Sequence, residues 1–189
     1  MRDLRTVHLI PAAFDYFDDI QEAAFGLVDA LNYAGIPAEP FTIDYEMPTR
    51  ARRARLAEIS PGRQFQGASH ASEMKKLFTH FDLVHLHCPL FGGAGDLLRL
   101  ARLNPAKPVI ITWYRPLFIR DVFSLGLRLY NAYYLPRLAE VARYVIACGD
   151  PGQPLNYFKE KSKLLRVETN TESLKKLLYT ATIQAYSRV

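Results

Sequence analysis

Short apolar runs alternate with amphipathic segments along this chain. The first run, TVHLI (6–10), has a β-rich composition, and apolar side chains then recur every three or four positions from 20 to 35, where Gly35 predicts the helix end. The same alternation continues beyond this pair. It predicts strands at 6–10, 37–45, 64–66, 81–87, 107–114, 143–148 and 163–168, and helices at 20–35, 70–80, 95–103, before 143 and near the carboxyl terminus.

Strands that alternate with helices are typical of a mostly parallel sheet, because right-handed crossovers return the chain in the same direction. We therefore predict an α/β fold: a three-layer, Rossmann-like, mostly parallel doubly wound sheet with helices on both faces. Ligands of such sheets bind outside the carboxyl ends of the strands, where the strand order reverses. The first strand is then expected beside the fourth, and the loops 11–19, 88–95 and 114–118 should line one crevice. We predict that 1–168 form this domain and that 169–189 form a helix packing back on it.

Composition agrees with a folded domain and excludes several protein classes. Hydrophobic residues make up 49% and charged residues 23% of the 189 positions, which is typical of soluble globular proteins. No apolar run is long enough to span a bilayer, and the first ten residues do not resemble a signal peptide, so we expect a cytoplasmic protein. Cys88 and Cys148 both end apolar runs and are predicted to be buried, reduced thiols. The net charge of +5 favours an anionic contact without identifying it.

The stretch FDLVHLHCPL (81–90) carries two histidines near the predicted crevice. Side chains alternate along a strand, so His85 and His87 share a face and His87 lies nearer the crevice. Zinc needs three or four ligands, and no second Cys/His cluster has ligand spacing, so we predict no metal site. We interpret His85 as a buried residue hydrogen-bonded to backbone or hydroxyl groups. His87 is either buried in the same way or contacts a ligand.

The glycine-rich turn FGGAGD (91–96) follows the same strand. Backbone N–H groups at Gly92 and Gly93, together with the following helix dipole, would suit a phosphate or sugar. A purely structural turn is the favoured interpretation, and Asp96 is predicted to cap the helix.

Two charged clusters lie in loops. Asp15, Asp18 and Asp19 either bind sugar hydroxyls at the crevice or, as we favour for the last two, cap the helix that follows. The RARRAR cluster (50–55) would suit phosphate or lipid headgroups, although a solvated face is the favoured interpretation. No aromatic platform accompanies it, so we do not expect nucleic acid as a partner.

Residues 113–138 mix aromatic, aliphatic and basic side chains without a clean stripe. Such a segment either packs on the core or a partner, which we favour, or lies in a membrane interface, where aromatics settle at headgroup level and arginines meet phosphate.

The strand sequences FDLVHLHCPL, KPVIITWY and LAEVARYVIACGD, in that order after TVHLI and AGIPAEPFTID, resemble the N-terminal half of GT-B glycosyltransferases of retaining family 4. That family has similar strands of the type DVVHVHSP, PVVVTxH and ADxVIAVS. The resemblance covers roughly 5–168. It implies an acceptor-binding domain, in a family whose second domain binds the sugar nucleotide.

The resemblance has three departures. The family's first loop carries a glycine pair, whereas PAAFDYFDD (11–19) has none. The family's functional histidine aligns with Tyr114, whose hydroxyl, with an ordinary pKa near 10, is a poor substitute for imidazole in proton handling. Only a short segment follows Glu168, so the donor-binding half is not expected within it. Whether the chain is an enzyme therefore stays open at this point.

The sequence supports two main functions. The first is an acceptor-binding subunit, possessing no cofactor, that needs a separate donor-binding subunit to supply the nucleotide sugar; the second is a non-catalytic binding or scaffolding module of the same descent. The expected partners are that subunit or a second copy of the chain, and a lipid-linked acceptor or peripheral contact at the inner face of the membrane. The candidate ligand-binding residues are Asp15, His87, Gly92, Gly93, Tyr114 and Arg115.

Overall fold

Strands and helices alternate through the computed structural model, which describes residues 4–11, 18–44, 64–66, 70–114, 123–149, 164–168 and 174–189. The strands are β1 (Thr6–Ile10), β2 (Ala38–Asp44), β3 (Gln64–Gln66), β4 (Leu83–Cys88), β5 (Val109–Tyr114), β6 (Tyr144–Gly149) and β7 (Leu164–Glu168). The helices are α1 (Asp18–Tyr33), α2 (His70–His80), α3 (Ala94–Leu103), α4 (Phe123–Val141) and α5 (Leu174–Tyr186).

The described strands form one seven-stranded sheet in the order β3-β2-β1-β4-β5-β6-β7. Every pairing between neighbours is parallel. The strand order reverses between β1 and β4, as predicted, with Thr6 opposite Leu83 and His8 opposite His85. The doubly wound α/β fold is therefore confirmed.

Helices cover both faces of the sheet, and each face has its own core. Val84, Leu86 and Trp113 point to the face that α2, α3 and α4 cover. Leu83 and Ile110, one position away on β4 and β5, point to the face that α1 and α5 cover. All six side chains of β4 and all six of β5 are buried, because a parallel sheet between two helical layers has no wet face.

The first helix shows which boundary signals were correct. α1 begins at Asp18, two residues before the predicted start at Ile20, so Asp18 and Asp19 both belong to its first turn. The prediction that Asp18 or Asp19 caps this helix was therefore wrong, because an N-cap residue precedes the first helical residue. Gly35 follows the helix end with φ +77°, as the predicted stop requires.

Gly35 and Gly126 offer a matched test of backbone conformation. A Cβ at either position would meet no atom within 4 Å, so steric contact does not enter the comparison. Gly35→Ala is expected to lower the free energy of unfolding by about 1–2 kcal/mol, because its positive φ disfavours a Cβ. Gly126→Ala, on an exposed turn of α4, is expected to raise it by about 0.5–1 kcal/mol. Urea unfolding checks both values, and the same sign for the two variants would contradict this account.

Candidate functional site

The carboxyl ends of β1, β4 and β5 lie side by side at the point where the strand order reverses. Of the three loops predicted to line a crevice there, the structure describes 88–95, whereas most of the other two loops lies outside the described residues. Asp15 and Arg115 are among those outside. The site can therefore be built from the strand ends and the turn after β4.

A buried cluster of polar side chains occupies the α1 and α5 face of the sheet beneath this edge. His8 and His85 stand opposite each other on adjacent strands, and His87 lies one residue pair nearer the edge. None of the three has any solvent exposure. With their hydroxyl partners they form what we call the histidine network: His8, His85, His87, Thr112, Tyr114 and Tyr186.

The half of the histidine network nearest the crevice joins β5 to β1 through β4. Tyr114 Oη lies 2.8 Å from His87 Nδ1. His87 Nε2 lies 3.0 Å from His8 Nδ1. Both distances are those of good hydrogen bonds, so both nitrogens of His87 are partnered.

The other half runs from β1 through the C-terminal helix and back to β5. Tyr186 Oη lies 3.1 Å from His8 Nε2 and 2.9 Å from His85 Nδ1. His85 Nε2 lies 2.7 Å from Thr112 Oγ1. Hydroxyl groups therefore satisfy both nitrogens of His85, and its predicted role as a buried core residue is confirmed.

Burial controls the protonation of these histidines. Removal from water lowers the pKa of His8 to about 3. Burial also lowers the pKa of His85 and of His87 well below the usual value, and repulsion from the neighbouring rings lowers it further. All three imidazoles are therefore neutral at pH 7, so each has one N–H donor and one acceptor nitrogen.

The three histidines are also the group of described residues that comes nearest to a metal-ligand set, with ligand nitrogens within 4.8 Å of one another. A metal ion lies in the plane of each imidazole that binds it. The rings of His85 and His87 are stacked, with centroids 4.7 Å apart and planes only 13° apart, so their planes meet far from both rings. Three lone pairs could converge on one ion only after a ring rotation that breaks hydrogen bonds of the network.

Tyr114 ends β5 at the crevice edge, but its side chain is only 7% exposed. Burial, with smaller contributions from Cys148 and Cys88, raises its pKa well above 10. Its hydroxyl therefore stays protonated at neutral pH and acts through hydrogen bonds. His87, a predicted ligand residue, lies behind Tyr114 and is connected to the edge through it.

The turn after β4 places the two predicted glycines differently. Gly92 is exposed and has φ +73°, whereas Gly93 is buried and is the N-cap of α3. The prediction that Asp96 caps this helix was wrong, because α3 begins at Ala94 and Asp96 belongs to its first turn. No side chain hydrogen-bonds at this cap, and Asp96 instead interacts with the helix dipole.

Neither cysteine hydrogen-bonds to the histidine network within the described residues. Both are free and buried, as predicted. Cys88 points to the face opposite His87, where Tyr130 Oη lies 3.8 Å from its Sγ. Burial raises the pKa of each thiol to about 12, so neither is a nucleophile at neutral pH.

The members of the histidine network that the sequence did not single out are His8, Thr112 and Tyr186. His8 was visible in TVHLI, and β1 was expected beside β4, but the register that sets it opposite His85 was not available. Tyr186 follows His8 by 178 residues and carries no local signal of its role.

Comparison with known structures shows the same fold in α-glucosyltransferases. The chain is similar to an α-glucosyltransferase in complex with UDP-glucose and DNA containing an abasic site, with TM-score 0.59 and 12% identity, over 87% of this chain and 42% of that one. A complex of α-glucosyltransferase with UDP and a 13-mer DNA containing a HMU base at 2.8 Å resolution gives TM-score 0.56 and 11% identity, over 85% and 41%. A similar complex at 1.9 Å resolution gives TM-score 0.54 and 12% identity, over 76% and 36%.

Comparisons with protein-family models and with curated protein sequences give no match. The chain spans less than half the length of the solved structures that it resembles. At this level of identity, the likeness establishes a glycosyltransferase-like α/β fold.

The neutral histidines predict that the protein loses stability in mild acid. The unfolded chain binds a proton at each of these histidines near pH 6.5, whereas the folded protein does not, so stability falls as the pH decreases below that value. For each histidine that stays neutral, the free energy of unfolding is expected to fall by about 1.4 kcal/mol per pH unit below the unfolded pKa. Urea unfolding at several pH values between about 7.5 and 5 measures this slope, over a range in which most carboxyl groups stay ionised.

A pair of variants separates this effect from general acid sensitivity. His8→Gln removes one buried histidine and is expected to reduce the slope more than His80→Gln, which changes an exposed one. A free energy of unfolding that stays constant over this pH range would contradict the prediction.

Proposed function

We propose that this chain is the acceptor-binding, N-terminal-type half of a GT-B glycosyltransferase similar to family 4, and that a separate donor-binding subunit supplies the nucleotide sugar. The observation that carries the proposal is the extent of the structural likeness. Most of this chain, 87%, matches only 42% of an α-glucosyltransferase. A second chain that binds the nucleotide sugar would then complete the crevice.

The crevice edge has chemistry that suits a hydroxyl-bearing acceptor. The histidine network is neutral and ends in the hydroxyl of Tyr114, so it offers hydrogen bonds and no ionic charge. Neutral donors and acceptors in a fixed geometry are what a sugar or lipid-linked alcohol requires for orientation. In this proposal Tyr114, Gly92 and Gly93 form the described part of the acceptor site, and His87 supports Tyr114.

The remaining proposed ligand residues, Asp15 and Arg115, belong to the two loops that would complete the crevice. Loops at the carboxyl ends of neighbouring parallel strands converge on one ligand. In this proposal the chain needs no cofactor of its own. The alternative, a binding or scaffolding module without chemistry, uses the same crevice and differs only in lacking a productive donor partner.

A turnover experiment tests the split-enzyme proposal. The purified chain is expected neither to hydrolyse UDP-glucose or other nucleotide sugars nor to transfer from them. A complex captured from the native host with the tagged chain is expected to transfer sugar to an acceptor. Tyr114→Phe within that complex should reduce kcat/KM, since it removes the hydroxyl that meets the acceptor in this proposal.

Tyr33→Ser is the matched control, because Tyr33 is 97% exposed and lies at the end of α1. Turnover by the isolated chain that Tyr114→Phe abolishes would overturn the need for a donor subunit. Capture of a stable complex that never transfers sugar would favour the scaffolding alternative.

One surface feature favours contact with a membrane surface, as expected for a lipid-linked acceptor. Within the described residues, no helix is long and apolar enough to cross a membrane. On α4, however, Leu125 and Leu129 are each 61% exposed and Tyr133 is 55% exposed, at intervals of four residues. We call these three residues the α4 stripe, and Arg128 is exposed beside it.

We infer that the α4 stripe lies on an anionic lipid surface at the cytoplasmic face of the membrane. Residues four apart share a helix face, so the two leucines and the tyrosine can enter the headgroup region together. Arg137 lies over the Tyr133 ring, 3.9 Å from its centroid, and Arg128 would meet lipid phosphate. The net charge of +5 adds a favourable long-range attraction.

Vesicle sedimentation tests the α4 stripe. The double variant Leu125→Ser and Leu129→Ser is expected to bind vesicles containing anionic phospholipid at least about tenfold more weakly, because two leucines lose apolar contact. Leu103→Ser is the matched control, since Leu103 is 66% exposed on another helix. Equal binding by the double variant and the wild type would rule out the stripe as the membrane contact.

A further inference from the structure

The contact between His8 and His87 constrains the protons of both rings. A neutral imidazole carries its proton on one nitrogen and accepts at the other. His8 Nδ1 and His87 Nε2 lie 3.0 Å apart, so exactly one of these two nitrogens must carry a proton. If it is His87 Nε2, the proton of His8 is left on Nε2. If it is His8 Nδ1, the proton of His87 is left on Nδ1. Both rings therefore always have the same tautomer.

The second nitrogen of each ring, His87 Nδ1 or His8 Nε2, contacts a tyrosine hydroxyl. The tautomer therefore decides whether that hydroxyl donates or accepts. When both protons are on Nε2, His87 Nδ1 accepts from the Tyr114 hydroxyl, and His8 donates to Tyr186 Oη. When both are on Nδ1, His87 donates to Tyr114 Oη, and the Tyr186 hydroxyl donates to His8. The Tyr114 hydrogen is then free for another acceptor.

We propose that His8 and His87 form a proton-ordered pair that determines whether Tyr114 offers the crevice a hydrogen-bond donor or an acceptor, and that Tyr186 of α5 is the positioning residue at the far end of the pair. The inference rests on the proposed function only in naming the acceptor hydroxyl as the group that Tyr114 meets. If the hydroxyl of the sugar acceptor must lose its proton, it needs a hydrogen-bond acceptor beside it. If that hydroxyl is held through its oxygen lone pair, it needs a hydrogen-bond donor. The tautomer of the pair thus selects how the acceptor is held.

His85 is not bound by the same rule. Tyr186 Oη has two lone pairs and can accept from His8 and from His85 together, so the tautomer of His85 does not follow from the contact between His8 and His87. The pairing rule therefore follows from the contact between His8 and His87 alone.

Tyrosine-to-phenylalanine variants at the two ends are expected to drive the pair in opposite directions. Tyr114→Phe leaves His87 Nδ1 without a partner, and an unpaired buried lone pair is tolerated better than an unpaired N–H. Both rings should then carry the proton on Nε2. Tyr186→Phe leaves His8 Nε2 without a partner, so both rings should carry it on Nδ1. Whatever the wild-type tautomer is, one of the two variants must change it.

Long-range ¹H–¹⁵N spectra of the full chain, labelled at histidine and recorded near pH 7.5, distinguish the two neutral tautomers from the imidazolium. In the wild type, His8 and His87 are expected to be neutral and alike. Each variant should favour its tautomer by at least about tenfold in both rings, including the ring two hydrogen bonds away from the substitution. His80→Gln, which changes an exposed histidine outside the network, should leave this pair unchanged, and backbone spectra of the same samples establish that each variant is folded.

Different tautomers at His8 and His87, an imidazolium at either ring, or a Tyr186→Phe protein in which His87 fails to follow His8 would overturn the proposal. Addition of Zn²⁺ alone should leave the histidine signals unchanged, and their displacement by the ion would replace the proton-ordered pair with a metal site.

If Tyr186→Phe does not fold, the wild-type spectra and Tyr114→Phe still test the pairing rule. None of these measurements needs an acceptor or a donor subunit, so a failure of sugar transfer leaves the outcome for the pair intact.

Discussion

Three imidazole rings lie in the centre of one core layer, and each of their nitrogens has a partner, either another of the three rings or a hydroxyl group. A buried polar group without a partner costs about 1–3 kcal/mol, which is a large fraction of the stability of a domain. A slip of one residue between β1 and β4 would turn His8 to the opposite face and leave its neighbours unpaired. The histidine network therefore favours one register at the point where the strand order reverses.

The network also defines what this edge of the sheet contributes to chemistry. Burial keeps the histidines and Tyr114 uncharged, so the strand ends can offer hydrogen bonds but no ionic charge. The free cysteines are as inert, because burial holds them as thiols. Any ionised group that acts on a ligand here would come from the surrounding loops or from a second subunit. That division of roles agrees with the proposal of an acceptor-binding half.

The fold was largely predictable, because its main signals are local. Apolar runs located the strands, three- and four-residue spacing located the helices, and Gly35 marked a helix end that its positive φ explains. The site was only partly predictable. Alternation along β4 gave His85 and His87 a common face, but strand register decides whether His8 joins them. No local pattern could predict that Tyr186 contacts His8. The capping role predicted for Asp96 was wrong because a glycine can occupy an N-cap without a side-chain acceptor.

The bond between Tyr186 and His8 joins residues that are 178 positions apart. A nascent polypeptide leaves the ribosome from its amino terminus, so β1 and β4 are synthesised well before the helix that supplies their shared hydroxyl. Until α5 emerges, His8 Nε2 and His85 Nδ1 lack the hydroxyl of Tyr186 and need water as their partner, so that part of the core cannot close. Completion of this layer is thus tied to the end of translation of α5, and a chain stalled before that point would expose polar rings and the apolar residues around them to chaperones.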